Sequence, residues 1–183
     1  MKYFSLIEAL DKYCAHHEQD ELLIVNRFRD LISLYPNCFE RDCWSGHITS
    51  SAWILDPSQR NILLTLHRKL GIWCQLGGHS DGDRNTPNVA LREAFEESGL
   101  QLVLVDSDIF DLDIHQIPAY ENEPAHLHYD VRFLIQSKNK DFTISDESID
   151  LNWTPIADIE GISREKSIIR MRDKWLRYVN KGV

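Results

Sequence analysis

The chain has 183 residues, with 20 lysines and arginines against 29 acidic residues, and a formal net charge of −9. This length fits one domain, or one domain with a modest extension, and is enough to bury a hydrophobic core. Hydrophobic residues make up 43% and charged residues 27%, which excludes wholesale disorder, while the acidic excess argues against non-specific binding of nucleic acid.

The sequence predicts a cytoplasmic protein without a membrane span. No apolar run reaches the roughly 18 residues that a span needs, and Glu8 and Asp11 interrupt the apolar stretch expected of a signal peptide. The four cysteines form no C-x-x-C pair and are interpreted as reduced thiols. Cys38 and Cys43 as half of a zinc site is the alternative, although no second ligand pair stands at a familiar spacing.

The first 35 residues are predicted to be helical. After Asp20, a plausible N-cap, apolar residues recur at helical spacing, and Pro36 ends the pattern. The recurring positions are Leu22, Val25, Phe28, Leu31, Ile32 and Tyr35. We therefore expect residues 1–43 to form a helical extension packed on a domain at 44–183.

Strand patterns follow. Residues 47–55 and 62–67 flank the turn Asp56-Pro57-Ser58 and predict a hairpin, and a third strand at 72–76 ends at Gly77-Gly78. Thr86 as N-cap, Pro87 in the first turn and Gly99 at the end delimit a central helix. Further strands at 100–105, 126–135 and 151–153 and a closing helix at 163–180 complete a mixed α/β sandwich.

The central helix carries the chemistry. Glu93, Glu96 and Glu97 stand at i, i+3 and i+4, so their carboxylates crowd one face, while Leu91, Ala94 and Phe95 can bury another part of the helix. Clustered hard oxygen ligands suit Mg²⁺ or Mn²⁺. A solvated acidic face is the alternative for three glutamates alone.

The stretch GHSDGDRNTPNVALREAFEESGL, residues 78–100, resembles the Nudix box, Gly-x5-Glu-x7-Arg-Glu-U-x-Glu-Glu-x-Gly-U, where U is a bulky apolar residue. Ala94 is small for its U position, and Arg84 replaces the first glutamate. The positions in register are Gly78, Arg92, Glu93, Glu96, Glu97, Gly99 and Leu100. The resemblance implies the Nudix fold, a mixed β-sheet sandwiched between helices (α/β/α), here with an N-terminal helical extension.

By this resemblance the protein is a Nudix-type pyrophosphohydrolase, which cleaves a diphosphate in a nucleoside diphosphate linked to another moiety. Glu93, Glu96 and Glu97, with the Gly77 carbonyl, are expected to bind Mg²⁺ or Mn²⁺. Arg92 is expected to orient Glu93. The general base is Glu93 or the loop residue Glu147. The residues predicted to contact substrate are Gly78, His79, His128 and Arg84.

Three features leave alternatives open. Arg84 is either a surface residue or a phosphate contact, and Asp81 or Asp83 could replace the missing glutamate. His126, His128 and Asp130 share a strand face and, with His79, could form a second metal site, although pocket lining or hydrogen bonding is favoured. The final helix, which with Lys181 after it has seven cations and two acids, is a packed helix or one that binds RNA or a nucleotide.

The expected partner is a small nucleoside diphosphate derivative, with no membrane partner, nucleic acid disfavoured and a homodimer allowed. A non-catalytic Nudix-fold nucleotide sensor is the alternative, with Arg84 as the mark of decay. An isomerase of the isopentenyl-diphosphate type needs an active cysteine, and nothing around Cys43 supports that role.

Overall fold

A computed structural model describes residues 4–16 and 19–180 of the chain. Its helices are α1 (Leu6–His16), α2 (Gln19–Leu34), α3 (Thr86–Ser98) and α4 (Lys166–Asn180), with a 3-10 helix at Ile156–Gly161. Its strands are β1 (His47–Leu55), β2 (Asn61–His67), β3 (Trp73–Cys74), β4 (Leu76–His79), β5 (Leu102–Leu104), β6 (Asp111–Ile117), β7 (His126–Ser137) and β8 (Ser148–Pro155).

The chain divides into two compact units. The first comprises Met1–Ser51, Gly77–Ala90 and Asp106–Phe133, and the second comprises Ala52–Leu76, Leu91–Val105 and Leu134–Val183. Four elements, β1, β4, α3 and β7, contribute residues to both units. By hydrogen bonding the strand order is β3-β2-β1-β7-β5, with β4 on β1, β6 on β7 and β8 on β2.

In the first unit, β6 and β7 pair antiparallel from Asp111 opposite Arg132 to Ile117 opposite His126. The N-terminal helices bury apolar side chains here, because Phe28 of α2 is fully buried and meets Tyr129 of β7 edge to face at 5.2 Å between ring centroids. The amphipathic pattern of α2 therefore serves core packing.

In the second unit, β1 and β2 form the predicted hairpin, with Leu55 opposite Ile62. The buried Asp56 carboxylate closes its turn by accepting hydrogen bonds from the backbone N–H groups of Arg60 and Asn61. β2 also pairs with β3 and with β8. α4 buries Ile168, Met171 and Trp175, whereas Tyr178 is 51% exposed.

Several boundaries differ from the sequence predictions. The third strand is two strands, β3 and β4, and β4 continues through the glycines to His79 instead of ending at them. β6 was not predicted, because the alternating acids and histidines of 111–117 hide its apolar face. α2 begins at Gln19, one residue before the expected cap at Asp20. The predicted helical residues 1–3 and 17–18 lie outside the described part of the chain.

The cap of α3 is Asn85 and not Thr86. The Asn85 carbonyl accepts the N–H of Val89, and its side-chain oxygen accepts the N–H of Asn88 at 3.3 Å. Gly99 ends the helix as predicted, with φ +66° and its N–H donated to the Phe95 carbonyl. All four cysteines are free, and none of the described helices is long and apolar enough to cross a membrane.

Candidate active site

The C-terminal half of α3 carries the predicted acids in the second unit. Glu97 is 6% exposed and Ala94 is fully buried, so the inward face of this half of the helix includes a carboxylate. Phe95 was expected to help bury this part of the helix, but it is 57% exposed. The i, i+3 relation of Ala94 and Glu97 explains this, because it turns residue 95 outward.

Arg92 and Glu93 form an ion pair, with Nη2 2.8 Å from Oε1. Burial raises the pKa of the Glu93 carboxyl, Arg92 opposes the shift, and the nearby acids Glu96 and Glu147 add to it. We call Glu93, Glu96 and Glu147 the glutamate group. The charges of two acids thus act on Glu93 in spite of the neighbouring arginine, and a divalent cation would relieve this repulsion.

Glu147 lies in an exposed loop, and Arg68 holds the backbone of that loop. The Arg68 guanidinium donates to the carbonyls of Asp146 at 2.7 Å and Ser148 at 2.8 Å. The backbone N–H of Arg68 donates to the Glu147 carbonyl at 2.9 Å. His67 next to it also interacts with the Glu147 charge. The Glu147 side chain is therefore exposed, while the backbone that carries it is held in place by Arg68.

In the first unit, Gly77 and Gly78 belong to β4, which pairs with β1. Gly77 has φ +156°, and a Cβ there would overlap the side chain of Ser51 and lie 2.6 Å from the Ser50 carbonyl oxygen. Close packing of two strands therefore requires glycine at position 77 whatever its carbonyl binds.

Arg84 packs on the N-terminal segment of the same unit. Its guanidinium donates to the Pro36 carbonyl at 3.1 Å and lies over the Phe39 ring at 4.9 Å. The two aspartates considered as replacements for the missing glutamate are also engaged, since Asp81 pairs with Arg41 and Asp83 accepts the N–H of Asn85. These contacts agree better with a packed surface arginine than with a phosphate contact.

His79 and His128 lie in a group of histidine rings. The ring centroid of His128 lies 4.8 Å from that of His47, 5.1 Å from that of His79 and 5.2 Å from that of His126. The ring centroid of His115 on β6 lies 5.5 Å from that of His128. The strand alternation predicted that His126 and His128 share a face, but it did not show that His47 joins them.

Next to the histidines on β6 and β7 is a buried ion network. Arg132 contacts Asp130 at 2.7 Å, Asp111 at 3.1 Å and Asp113 at 3.2 Å, and Thr49 and Ser51 donate to Asp130. We call Asp111, Asp113 and Asp130 the aspartate group. Burial alone would lower the pKa of Arg132, but these carboxylates raise it, so the arginine stays charged.

The comparisons with known proteins agree with this architecture. The model of the NUDIX domain matches residues 46–176 of the chain. The chain belongs to the NUDIX domain family. This membership confirms the fold class expected from the box, and with it the enzyme class, a Nudix-type pyrophosphohydrolase.

Solved Nudix structures share the fold at low sequence identity. An Ap4A hydrolase from C. elegans, in a binary complex, is 16% identical with a TM-score of 0.53, covering 73% of this chain and 98% of that one. A NUDIX-family hydrolase from Clostridium perfringens is 21% identical with a TM-score of 0.52, covering 70% and 95%. The NUDIX domain of Shewanella oneidensis NrtR, complexed with ADP ribose, is 15% identical with a TM-score of 0.53, covering 82% and 97%. No curated protein matches the chain.

The Nudix box therefore located one group of side chains and missed others. Within the box, Arg92 pairs with Glu93, and the charges of Glu96 and of the loop residue Glu147 act on Glu93. Arg68, His47 and Arg132 were not predicted. The alternation of His126, His128, Asp130 and Arg132 along one strand was the available signal for the polar face of β7.

Proposed function

We propose that this Nudix hydrolase cleaves the diphosphate bond of a nucleoside diphosphate linked to another moiety, and that it uses Mg²⁺ or Mn²⁺. The observation that carries the proposal is the glutamate group, in which burial raises the pKa of Glu93, the charges of Glu96 and Glu147 add to the shift, and Arg92, which pairs with Glu93, opposes it. A site that repels its own charges gains most from a cation.

The donor set fits the proposed ion. Glu93, Glu96 and Glu97 offer carboxylate oxygens, which are the ligands that Mg²⁺ and Mn²⁺ prefer. When bound, such an ion neutralises phosphate oxygens and lowers the pKa of a coordinated water. The Gly77 carbonyl remains the fourth predicted ligand from this chain.

The residues around the ion have separate roles in this proposal. Arg92 orients Glu93 through its 2.8 Å ion pair and does not contact substrate. A carboxylate accepts the proton of the attacking water, and the candidates are Glu93 on the helix and Glu147 on the loop held by Arg68. Gly78 and His79 remain proposed substrate contacts, whereas the contacts of Arg84 with Pro36 and Phe39 favour a packed surface residue.

The substrate is proposed as a class. The structural relatives include an Ap4A hydrolase and a domain complexed with ADP ribose, and both compounds contain phosphoanhydride bonds. The panel for this chain therefore includes ADP-ribose, diadenosine polyphosphates and nucleotide sugars, each with Mg²⁺, with Mn²⁺ and with a chelator.

The decisive variant is Glu97→Gln, with Glu123→Gln as the matched control on an exposed loop. Loss of groups that only support a metal ligand costs roughly 10–100-fold, so loss of a ligand should cost at least about 100-fold in kcat/KM. Chromatography of the phosphate-ester products measures this. Binding of the panel compounds without turnover under every metal condition would instead establish the sensor.

Glu147→Gln separates the two candidate bases. If Glu147 is the base, kcat falls by about 10²–10⁴-fold, the range of general-base contributions, while KM changes little. Asp146→Asn is the matched control, because its side chain is exposed in the same loop and its backbone carbonyl contact with Arg68 is kept. Unchanged turnover in Glu147→Gln assigns the base to Glu93.

A further inference from the structure

Three imidazoles from two strands meet in the first unit. His47 begins β1, His126 begins β7, and His128 follows two residues later on the same face. One ring nitrogen of each lies within 4.8 Å of those of the other two. None of the three residues belongs to the Nudix box at residues 78–100.

The hydrogen bond of His126 fixes which of its nitrogens is free to bind. Its Nδ1 lies 2.8 Å from the Pro124 carbonyl oxygen, which can only accept, so Nδ1 carries the proton and Nε2 has the lone pair. This Nε2 lies 3.3 Å from Nε2 of His128. Two nitrogens bound to one tetrahedral zinc at about 2.0–2.1 Å stand about 3.3 Å apart, and a backbone carbonyl behind the ligand is the usual support.

His47 supplies an independent observation. It is 1% exposed, and both of its ring nitrogens are buried. A hydrogen bond to the Cys43 backbone raises the pKa of the ring and satisfies one nitrogen at most, because a neutral imidazole has a single N–H. The other nitrogen has no hydrogen-bond partner among the described residues, and since buried polar atoms are nearly always satisfied, an unsatisfied nitrogen facing two other imidazoles points to a bound ion.

The charges around the rings favour a cation. Burial, and then the neighbouring histidines, lower the pKa of His47 to about 4 and of His128 to about 2, so both rings are neutral, the form that binds metals. His115 lies between His128 and Asp113 and links the rings to the aspartate group. That group has three carboxylates against the one guanidinium of Arg132, a formal excess of two negative charges.

We propose that His47, His126 and His128 bind one Zn²⁺ ion that ties the start of β1 to the start of β7. Imidazole nitrogens suit zinc, whereas Mg²⁺ prefers oxygen ligands, so this site takes a different metal from the glutamates. It gives His128 a metal-binding role in place of the substrate contact predicted from the sequence.

The cysteines are poor competitors for this ion. Burial, followed by the neighbouring Cys43, raises the pKa of the Cys38 thiol to about 11, and burial raises that of Cys43. Both thiols are therefore protonated at neutral pH, and the thiolate is the form that binds zinc.

Metal analysis of the full chain, with no affinity tag, tests the proposal. After zinc loading and gel filtration we expect about one zinc per chain, and at least a tenfold lower content in His47→Gln, His126→Gln and His128→Gln. His67→Gln and Glu97→Gln, which alter the other unit, should keep the ion. Less than about 0.1 zinc per wild-type chain, or full retention in all three variants, overturns the site.

If the variants fail to fold, Co²⁺ binding to the wild-type chain tests the proposal instead. Co²⁺ added to the wild-type chain should give the visible d–d bands of a tetrahedral site without a thiolate charge-transfer band, and excess Mg²⁺ should not displace it. A charge-transfer band would assign the ion to cysteines and overturn the proposal. Because these readings need no turnover, their failure is distinct from failure of the proposed hydrolase.

Discussion

Two sets of three carboxylates are balanced in opposite ways. The aspartate group surrounds Arg132, which is fully buried and contacts all three aspartates within 3.2 Å. The glutamate group has Arg92 beside Glu93, and the pKa of Glu93 is nevertheless raised. The first set contains its cation as a side chain, whereas the second is proposed to take one from solution.

This difference separates a structural acid cluster from a functional one. Removing the cationic partner of buried acids leaves their charge uncompensated and lowers the free energy of unfolding. Removing one of several acids that repel one another instead relieves electrostatic repulsion. A cluster of acids is therefore not by itself a metal-binding site. Whether a side-chain cation neutralises the acids decides whether the cluster is structural or available to a metal ion. The variants below test that distinction, starting with the largest expected effect.

Arg132→Met should strongly destabilise the fold. It leaves the buried Asp111 and Asp130 and the partly buried Asp113 without their common partner, and breaking a buried ion pair costs about 3–5 kcal/mol. Urea denaturation measures the change, with Arg164→Met, an exposed arginine, expected to stay within about 0.5 kcal/mol. A loss below about 1 kcal/mol for Arg132→Met would show that the aspartates do not depend on it.

Asp56→Asn should lose stability in a pH-dependent way. Burial disfavours the Asp56 carboxylate, but hydrogen bonds from Asn61, Lys140 and Ser58 outweigh it and hold the pKa of Asp56 well below its ordinary range. A depressed native pKa stabilises the fold above the ordinary aspartate pKa of about 3.9, and this contribution is lost as the pH falls below it.

The expected cost of Asp56→Asn at pH 7 is about 1.5–3 kcal/mol, the range for hydrogen bonds to charged groups, reduced for the half-exposed Lys140. Denaturation of both proteins between pH 7 and pH 2 measures the gap, which should close on the acid side. A gap that stays constant across this range would assign the effect to packing of the turn.

Glu96→Gln should give the smallest change in stability, and it should stabilise the fold, in contrast to the other two variants. Removing one of two like charges at i, i+3 is worth about 0.2–0.5 kcal/mol, so the melting temperature should rise slightly. Metal-dependent turnover should fall in the same variant. Destabilisation by more than about 1 kcal/mol would mean that the glutamate group, like the aspartate group, is a structural element.

Patterns confined to neighbouring residues predicted much of the molecule. Strands β1, β2 and β7 followed from apolar runs bounded by turn residues, and Gly99 from its place at the end of a helix. The prediction of Thr86 as a cap was wrong, because two adjacent residues can both cap a helix and only the hydrogen bonds identify Asn85. β6 was missed since its acids and histidines look like loop residues until β7 pairs with it.

The sequence by itself determined the family and the acid helix, because the Nudix box fixes spacing along a single element and helical periodicity alone brings its glutamates to one face. Only the tertiary structure decided that Arg68 holds the Glu147 loop, that Arg132 neutralises three aspartates, and that His47 meets two histidines about eighty residues later in the chain. These contacts join residues on different strands and loops, and strand pairing and packing are what bring such residues together. The acidic net charge of the chain conceals this division, since one set of its acids contains a buried arginine and the other is proposed to hold a metal ion.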